Sequence, residues 1–124
     1  MQILIMGGFL VAAVINLLPV MGVMGVPQLE RMYGVTLEGP DIAILMRHRA
    51  ILFGVVGALL TAAAFMTSFR WAAFFAGMLS MVSFLVFQAL EGQTNAELGR
   101  VALVDYVGIA ALAIAGVAVW MQTD

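Results

Sequence analysis

Three consecutive polar residues, Arg47-His48-Arg49, lie inside a long apolar segment and are the strongest chemical feature of the sequence. The segment covers residues 41–65 and reads DIAILMRHRAILFGVVGALLTAAAF. A charged side chain at membrane depth is costly and usually faces a bundle interior, a cavity or an opposite charge. A guanidinium can hold an anion or a carbonyl oxygen, and a histidine between cations and near carboxylates can serve a proton path. The segment therefore predicts a polar site within a membrane helix.

Polar residues of three other apolar runs are expected at the same end of the molecule. If consecutive helices are antiparallel, the end of one helix lies beside the start of the next, so that these residues meet the arginines of the second run. We predict a polar chamber under the connection at residues 25–40. The candidate ligand-binding or ion-pair residues are Asn16, Arg47, His48, Arg49, Gln88, Glu91, Asp105 and Tyr106.

The chamber has three interpretations that the sequence leaves open. Arg47 with Asp105 and Arg49 with Glu91, or the reverse, would form ion pairs that lock the helices in register. Alternatively, part of the hydrogen-bonding and charge-pairing capacity of the arginine side chains remains for an anionic or carbonyl-bearing ligand, such as a lipid headgroup or a quinone. A proton path through His48 is the third.

Helical spacing places Arg47 on a small-residue packing face, whereas Arg49 shares a stripe of large apolar residues and would extend to the lipid headgroups.

Four apolar runs supply the helices that position these residues. A spanning helix needs roughly 20 residues, and each run reaches about that length. We predict an all-α fold: a single transmembrane domain over residues 1–124, built as an integral membrane four-helix bundle in up-down-up-down order. The predicted helices cover residues of about 3–24, 41–66, 71–90 and 101–121.

Two features modify this simple plan. Asn16 and Pro19 interrupt the end of the first run, where proline removes a backbone hydrogen bond. The polar connection that follows contains an interfacial segment at residues 27–34. It either turns Leu29, Met32 and Tyr33 toward lipid, since tyrosine is common at that depth, or is an ordinary loop packed over the end of the bundle.

The distribution of arginine predicts the orientation in the membrane. Arg31 and Arg100 lie in the loops at 25–40 and 91–100, whereas Arg70 lies with the termini. Arg47 and Arg49 add to the loop side if they lie near the surface; if they lie within the membrane, the count is two against one and decides little. Cytoplasmic loops carry an excess of basic residues. We therefore expect a multi-pass protein of a bacterial inner membrane, with both loops cytoplasmic and both termini periplasmic.

Composition excludes several classes of function. Hydrophobic residues make up 65% of the 124 residues and charged residues 10%, against about half and about a quarter in soluble domains. The chain has no Lys, no Cys and one His, so thiolate chemistry, lysine Schiff bases and a three-histidine zinc site are absent. A net charge of −2 does not indicate the basic surface that nucleic-acid binding requires. We predict no metal and no cofactor apart from a bound lipid or quinone.

The order of sequence features over most of the chain resembles that of a known family. LERMYGV at 29–35, the acidic helix start at Asp41 and RHRAILFGVVGALL at 47–60 are similar to the DoxX-like four-helix membrane proteins of bacteria. That resemblance implies a small helical membrane protein from a largely uncharacterised family, some members of which are partners of membrane redox enzymes.

The leading functional prediction is a non-catalytic accessory subunit of a larger membrane complex of redox or energy-transducing type. The chain is small, lacks catalytic groupings, and shows small-residue faces and aromatic helix ends. The alternative is a stand-alone lipid- or quinone-binding protein with its chamber near Arg47 and Asp105. In either case we expect contact with membrane lipid and either a membrane-protein partner or a homo-oligomer. An enzyme acting on such a ligand is the least favoured interpretation.

Overall fold

The computed structural model describes residues 1–92 and 94–123, which form five α-helices, two short 3₁₀ segments and no strand. The predicted all-α class is confirmed. The 3₁₀ segments are Leu18–Met24 and Thr67–Phe69. The helices are α1 (Gln2–Leu17), α2 (Val26–Tyr33), α3 (Pro40–Phe65), α4 (Arg70–Glu91) and α5 (Ala96–Thr123).

Four of these helices are long and apolar enough to cross a membrane. They are α1 with the first 3₁₀ segment, α3, α4 and α5, and their mean hydropathy over 18 residues ranges from 1.7 to 2.4. The chain is therefore compatible with a multi-pass membrane protein, as predicted. The up-down-up-down order, the single membrane domain and the sidedness stay predictions. Gln93, in the predicted loop 91–100, and Asp124 lie outside the described residues.

The four long helices pack in the order α1, α3, α4, α5, with α1 against both α3 and α5 and with α4 against the same two helices. Their shared core is fully buried and mainly aliphatic. On α5, Asp105, Gly108, Leu112 and Ala115 share one helix face and are all buried. Small residues permit this close approach. The largest buried core side chains are Ile5, Phe9, Leu60, Met81 and Leu112.

The first membrane helix changes its winding near Pro19. The α-helical pattern ends at Leu17, and the chain continues as a 3₁₀ helix with Pro19 in its first turn, since proline has no N–H to donate. Beyond it Gly22 is buried against Leu29 of α2 and near Ala50 of α3. The predicted interruption of the first run is present, and it brings the 3₁₀ segment against α2 and α3.

The short helix α2 packs onto the ends of the long helices. Its Leu29 is 1% exposed and its Tyr33 is 5% exposed, so the lipid-facing alternative is wrong for these two side chains, and the segment packs over the bundle instead. Spaced four residues apart, they share one helix face, and that face is covered by the protein itself. The Asn95 side chain donates to the carbonyls of Tyr33 at 2.8 Å and Gly34 at 2.9 Å, which fixes α2 to the start of α5.

Candidate functional site

A cavity of about 270 Å³ lies beneath α2, and all five helices contribute to its wall. Most of the wall is apolar, including Phe53 of α3 and Phe84 of α4. The predicted polar chamber under residues 25–40 corresponds to this cavity. Its polar or charged lining residues are Asn16, Arg31, Tyr33, Arg49, Glu97, Arg100 and Asp105.

Arg49 enters the cavity from α3. Its Nη1 donates to the Tyr33 hydroxyl at 3.1 Å, and its guanidinium carbon lies 4.6 Å from the Phe53 ring centre and 5.4 Å from that of Tyr33. Both distances are typical of a cation over an aromatic face. A guanidinium has five N–H donors, and this is the one hydrogen bond it makes within the described part of the chain. The remaining donor capacity is available to a ligand.

Asp105 enters the same cavity from α5. It is 8% exposed and lines the cavity together with Arg49. Within residues 1–92 and 94–123 its carboxyl group accepts no hydrogen bond and forms no ion pair. A buried carboxyl group without a partner leaves acceptor positions unsatisfied, and here those positions adjoin the cavity.

The two arginines of the motif have different surroundings, and Arg49 is the one that lines the cavity. Arg47 is exposed, and its Nε donates to the Val23 carbonyl of the first 3₁₀ segment at 2.9 Å. It lies on the predicted packing stripe, but the 3₁₀ segment covers that stripe and leaves the Arg47 side chain outside the cavity. Arg49, for which extension to the lipid headgroups was one alternative, donates to the Tyr33 hydroxyl of α2 and lines the cavity. Neither predicted ion pair forms among the described residues.

Asn16 joins the cavity wall to the helix packing. It is 1% exposed; its Nδ2 donates to the Ala12 carbonyl at 2.9 Å, and its Oδ1 accepts a hydrogen bond from Ser80 at 2.7 Å. This bond connects α1 to α4 across 64 residues of sequence. Asn16 is therefore largely satisfied by the protein, and Arg49 and Asp105 are the two deep residues with free hydrogen-bonding capacity.

The other four candidate residues lie elsewhere. His48, Glu91 and Tyr106 are exposed, and Gln88 donates from Nε2 to the Thr94 hydroxyl at 3.1 Å. The structure thus brings together Asn16, Arg49 and Asp105 from the predicted set, and it leaves Arg47, His48, Gln88, Glu91 and Tyr106 outside the cavity lining.

Several lining residues are not among the predicted site residues. Tyr33 faces lipid in one of the two alternatives for residues 27–34, and Phe53 and Phe84 are not in the predicted set. The spacing of Leu29 and Tyr33 on one face of a short helix was the available signal that α2 packs inward. The mouth carries three further charged residues that were not proposed, namely Arg31, Glu97 and Arg100.

A second hollow of about 320 Å³ lies between α3 and α4. Arg49, Phe53 and Phe84 line both hollows, so the Arg49 side chain stands at the boundary between them. The cavity beneath α2 therefore adjoins the α3–α4 side of the molecule at the position of its main cation.

Arg70 is a separate buried cation. It is 4% exposed, its Nε lies 3.5 Å from the Ala63 carbonyl, and its Nη2 has no hydrogen-bond partner in the described residues. Ala63 is 14 residues beyond Arg49 on α3, about 21 Å along the axis. Arg70 therefore belongs to the opposite end of the long helices and not to the cavity.

No group of three or more His, Asp or Glu side chains in the described ranges is arranged to hold a metal ion. The chain matches no family model, no curated protein and no solved structure.

Proposed function

We propose that this chain is an integral membrane protein that binds a lipid-soluble molecule, a lipid or a quinone, in the cavity beneath α2. One observation carries the proposal. Arg49 and Asp105 direct unused donor and acceptor groups into a cavity that is otherwise mostly apolar. Small-molecule sites are typically apolar hollows with a few convergent polar groups.

The size of the cavity supports an amphipathic ligand. Its 270 Å³ lies just below the range of about 300–1,000 Å³ that is usual for ligand pockets. This volume suits the polar head of a lipid or the ring of a quinone, and the apolar remainder of the molecule would extend beyond it. Tyr33, Phe53 and Phe84 offer aromatic faces to the head, and Arg49 offers it hydrogen bonds.

The proposed setting is a bacterial inner membrane, with the cavity near the cytoplasmic surface. Four of the five arginines lie on the same side as α2, namely Arg31, Arg47, Arg49 and Arg100. The positive-inside rule then supports cytoplasmic loops and periplasmic termini. A ligand would reach the cavity from the inner leaflet or from the cytoplasmic surface.

An accessory role in a larger redox or energy-transducing complex is the second candidate, and it stays a prediction. The small-residue faces that suggested a partner are occupied within this chain. A Cβ added at Gly8 would meet Ala115, one at Gly77 would meet Leu112, and one at Gly108 would meet Met81. Because these contacts are internal, they favour the ligand-binding proposal over the accessory one.

Native mass spectrometry of three forms tests the binding proposal. The wild type, purified in mild detergent, is expected to retain a stoichiometric small molecule, and Arg49→Ala is expected to lose it. Arg47→Ala is a matched control, because it removes the same charge two residues away and outside the cavity. An empty wild type, or equal retention in both variants, contradicts the proposal.

The same preparation separates the two candidates. A ligand-binding protein is expected to migrate at the mass of one chain, or of a small homo-oligomer, together with its ligand. An accessory subunit is expected to co-purify with other membrane proteins in fixed ratio, whether or not Arg49 is replaced. A fixed complex that survives Arg49→Ala, with no small molecule bound, would favour the accessory role.

A further inference from the structure

An apolar groove leads out of the cavity between α1 and α5. Ile15 and Val104 line both the cavity and the groove. The other groove residues are Leu10, Val11, Val14 and Val107, and all of them are aliphatic. A molecule whose head lies in the cavity therefore has a continuous apolar path available along this seam.

The α1–α5 seam extends beyond this groove toward the far end of the helices. A second apolar hollow there is lined by Leu4 of α1 and by Ile114 and Val117 of α5, among others. Between the two hollows Gly7 is exposed, and a Cβ added to it would meet no atom within 4 Å. From Val104 to Met121 the seam extends 17 residues of α5, about 25 Å, which is comparable to a long acyl chain.

The charges of the cavity indicate the chemistry of the head. Three arginines line it, Arg31, Arg49 and Arg100, against the two carboxyl groups of Glu97 and Asp105. The chain has five basic residues in all, so three of the five converge on one hollow. Guanidinium groups match the geometry of phosphate oxygens, and this excess of cations favours a phosphate over a neutral ring.

Asp105 adds a second requirement. The residue is 8% exposed and lines the cavity, and its carboxyl group has no hydrogen-bond partner among the described residues. A hydroxyl or ammonium group on the ligand would satisfy it. A choline head provides no such donor, whereas glycerol and ethanolamine heads do.

We infer that the ligand is a phospholipid whose head group carries a hydroxyl or ammonium donor, held head-in under α2 with one acyl chain in the α1–α5 groove. This inference rests on the proposed function and specifies its ligand. The phosphate lies among the arginines, the head-group donor meets Asp105, and the chain leaves past Ile15 and Val104.

Photocrosslinking with a defined probe tests the inference. The probe is phosphatidylglycerol with a diazirine in the middle of one acyl chain, added at about one molecule per protein to nanodiscs of phosphatidylcholine. Mass spectrometry then maps the labelled residues. Labelling is expected on the groove faces of α1 and α5, at least tenfold above labelling of α3 and α4. Even labelling of all four long helices would overturn the inference, because it indicates only surrounding lipid.

Probes with other heads distinguish the ligand class. The same chain and diazirine are attached to phosphatidylcholine, to diacylglycerol and to a benzoquinone. Each is expected to label the groove at least tenfold less than the phosphatidylglycerol probe does. Stronger groove labelling by the benzoquinone or by diacylglycerol would overturn the phosphate assignment, and equal labelling by phosphatidylcholine would overturn the role of Asp105.

Groove-filling variants provide the matched control. Val14→Trp and Val107→Trp place an indole in the groove and are expected to reduce the labelling tenfold. Val55→Trp makes the same change at an exposed valine of α3 that lines none of the hollows described, and it is expected to leave labelling unchanged. An equal effect of all three variants would overturn the inference.

Labelling and ligand retention together distinguish failure of this inference from failure of the proposed function. If the wild type retains a small molecule that Arg49→Ala loses, but labelling is even, the cavity binds a ligand whose chain does not use the groove. If no small molecule is retained by the wild type, both proposals fail together.

Discussion

Arg49 of α3 and Asp105 of α5 line one cavity, and no direct ion pair joins them. Buried opposite charges usually meet, because separation leaves both incompletely satisfied. Here Arg49 hydrogen-bonds instead to the Tyr33 hydroxyl. The space between the two groups is the space that we propose the ligand fills, and this relationship motivates the first prediction.

Replacing Asp105 is expected to affect binding more than stability. Asp105→Asn keeps the shape of the side chain and breaks no observed hydrogen bond, so the free energy of unfolding should change by less than about 1 kcal/mol. Ligand retention in native mass spectrometry should fall, since an amide accepts from a donor less strongly than an ionised carboxylate does. A large loss of stability in detergent unfolding would instead assign Asp105 a structural role.

The hydrogen bond between Ser80 and Asn16 is expected to stabilise the packing of α4 on α1. Ser80→Ala leaves the buried Asn16 oxygen unsatisfied and should lower the free energy of unfolding by about 1 kcal/mol. Ser83→Ala is the control, because its hydroxyl donates to the Ser80 carbonyl within the same helix and its loss should cost little. Equilibrium unfolding in mixed detergent measures both, and equal effects would argue against the interhelical bond.

Two adjacent glycines of α1 are expected to respond oppositely to alanine. At Gly8 a Cβ would lie 2.6 Å from the backbone oxygen of Ala111, so Gly8→Ala should separate α1 from α5 and cost about 1–3 kcal/mol. At Gly7 the space is open, and Gly7→Ala should be neutral or stabilise the helix by up to about 1 kcal/mol. Thermal unfolding in detergent compares the pair, and a stable Gly8→Ala protein would contradict the observed helix contact.

Asn95 is expected to control the order of α2. Its Nδ2 holds the Tyr33 and Gly34 carbonyls, and its Oδ1 accepts from the Leu98 N–H in the first turn of α5. Asn95→Ser keeps a residue able to cap the helix but removes both bonds to α2. Hydrogen exchange should therefore increase in residues 26–33 and remain unchanged in α5. Unchanged protection of α2 would show that its buried Leu29 and Tyr33 suffice to hold it.

The orientation in the membrane can be measured with single cysteines, because the chain contains none. Thr36 and Ser68 are both exposed and lie in connections at opposite ends of α3. In intact spheroplasts an impermeant maleimide should label Ser68→Cys and should label Thr36→Cys only after lysis, because the arginine-rich side is predicted to be cytoplasmic. The cysteine-free wild type is the background, and the reverse pattern would invert the predicted topology.

Patterns local to one helix were predictable from the sequence. The burial of Asp105 with Gly108 and Leu112 follows from helical spacing, and the change of winding near Pro19 follows from its missing N–H. The choice between Arg47 and Arg49 did not follow, because it depends on what covers each side of α3. Arg47 bonds to the 3₁₀ segment and Arg49 bonds to Tyr33 of α2, and neither contact is encoded within α3.

The sequence by itself determined that the chain is helical, that four segments are long and apolar enough to cross a membrane, and that polar groups concentrate at one end of them. These properties depend on composition and on spacing along one segment. The tertiary structure alone decided which of those groups share a cavity. The position of α2, the Ser80 bond to Asn16 and the meeting of Arg49 with Asp105 depend on contacts between residues far apart in the chain, and only packing in three dimensions specifies them.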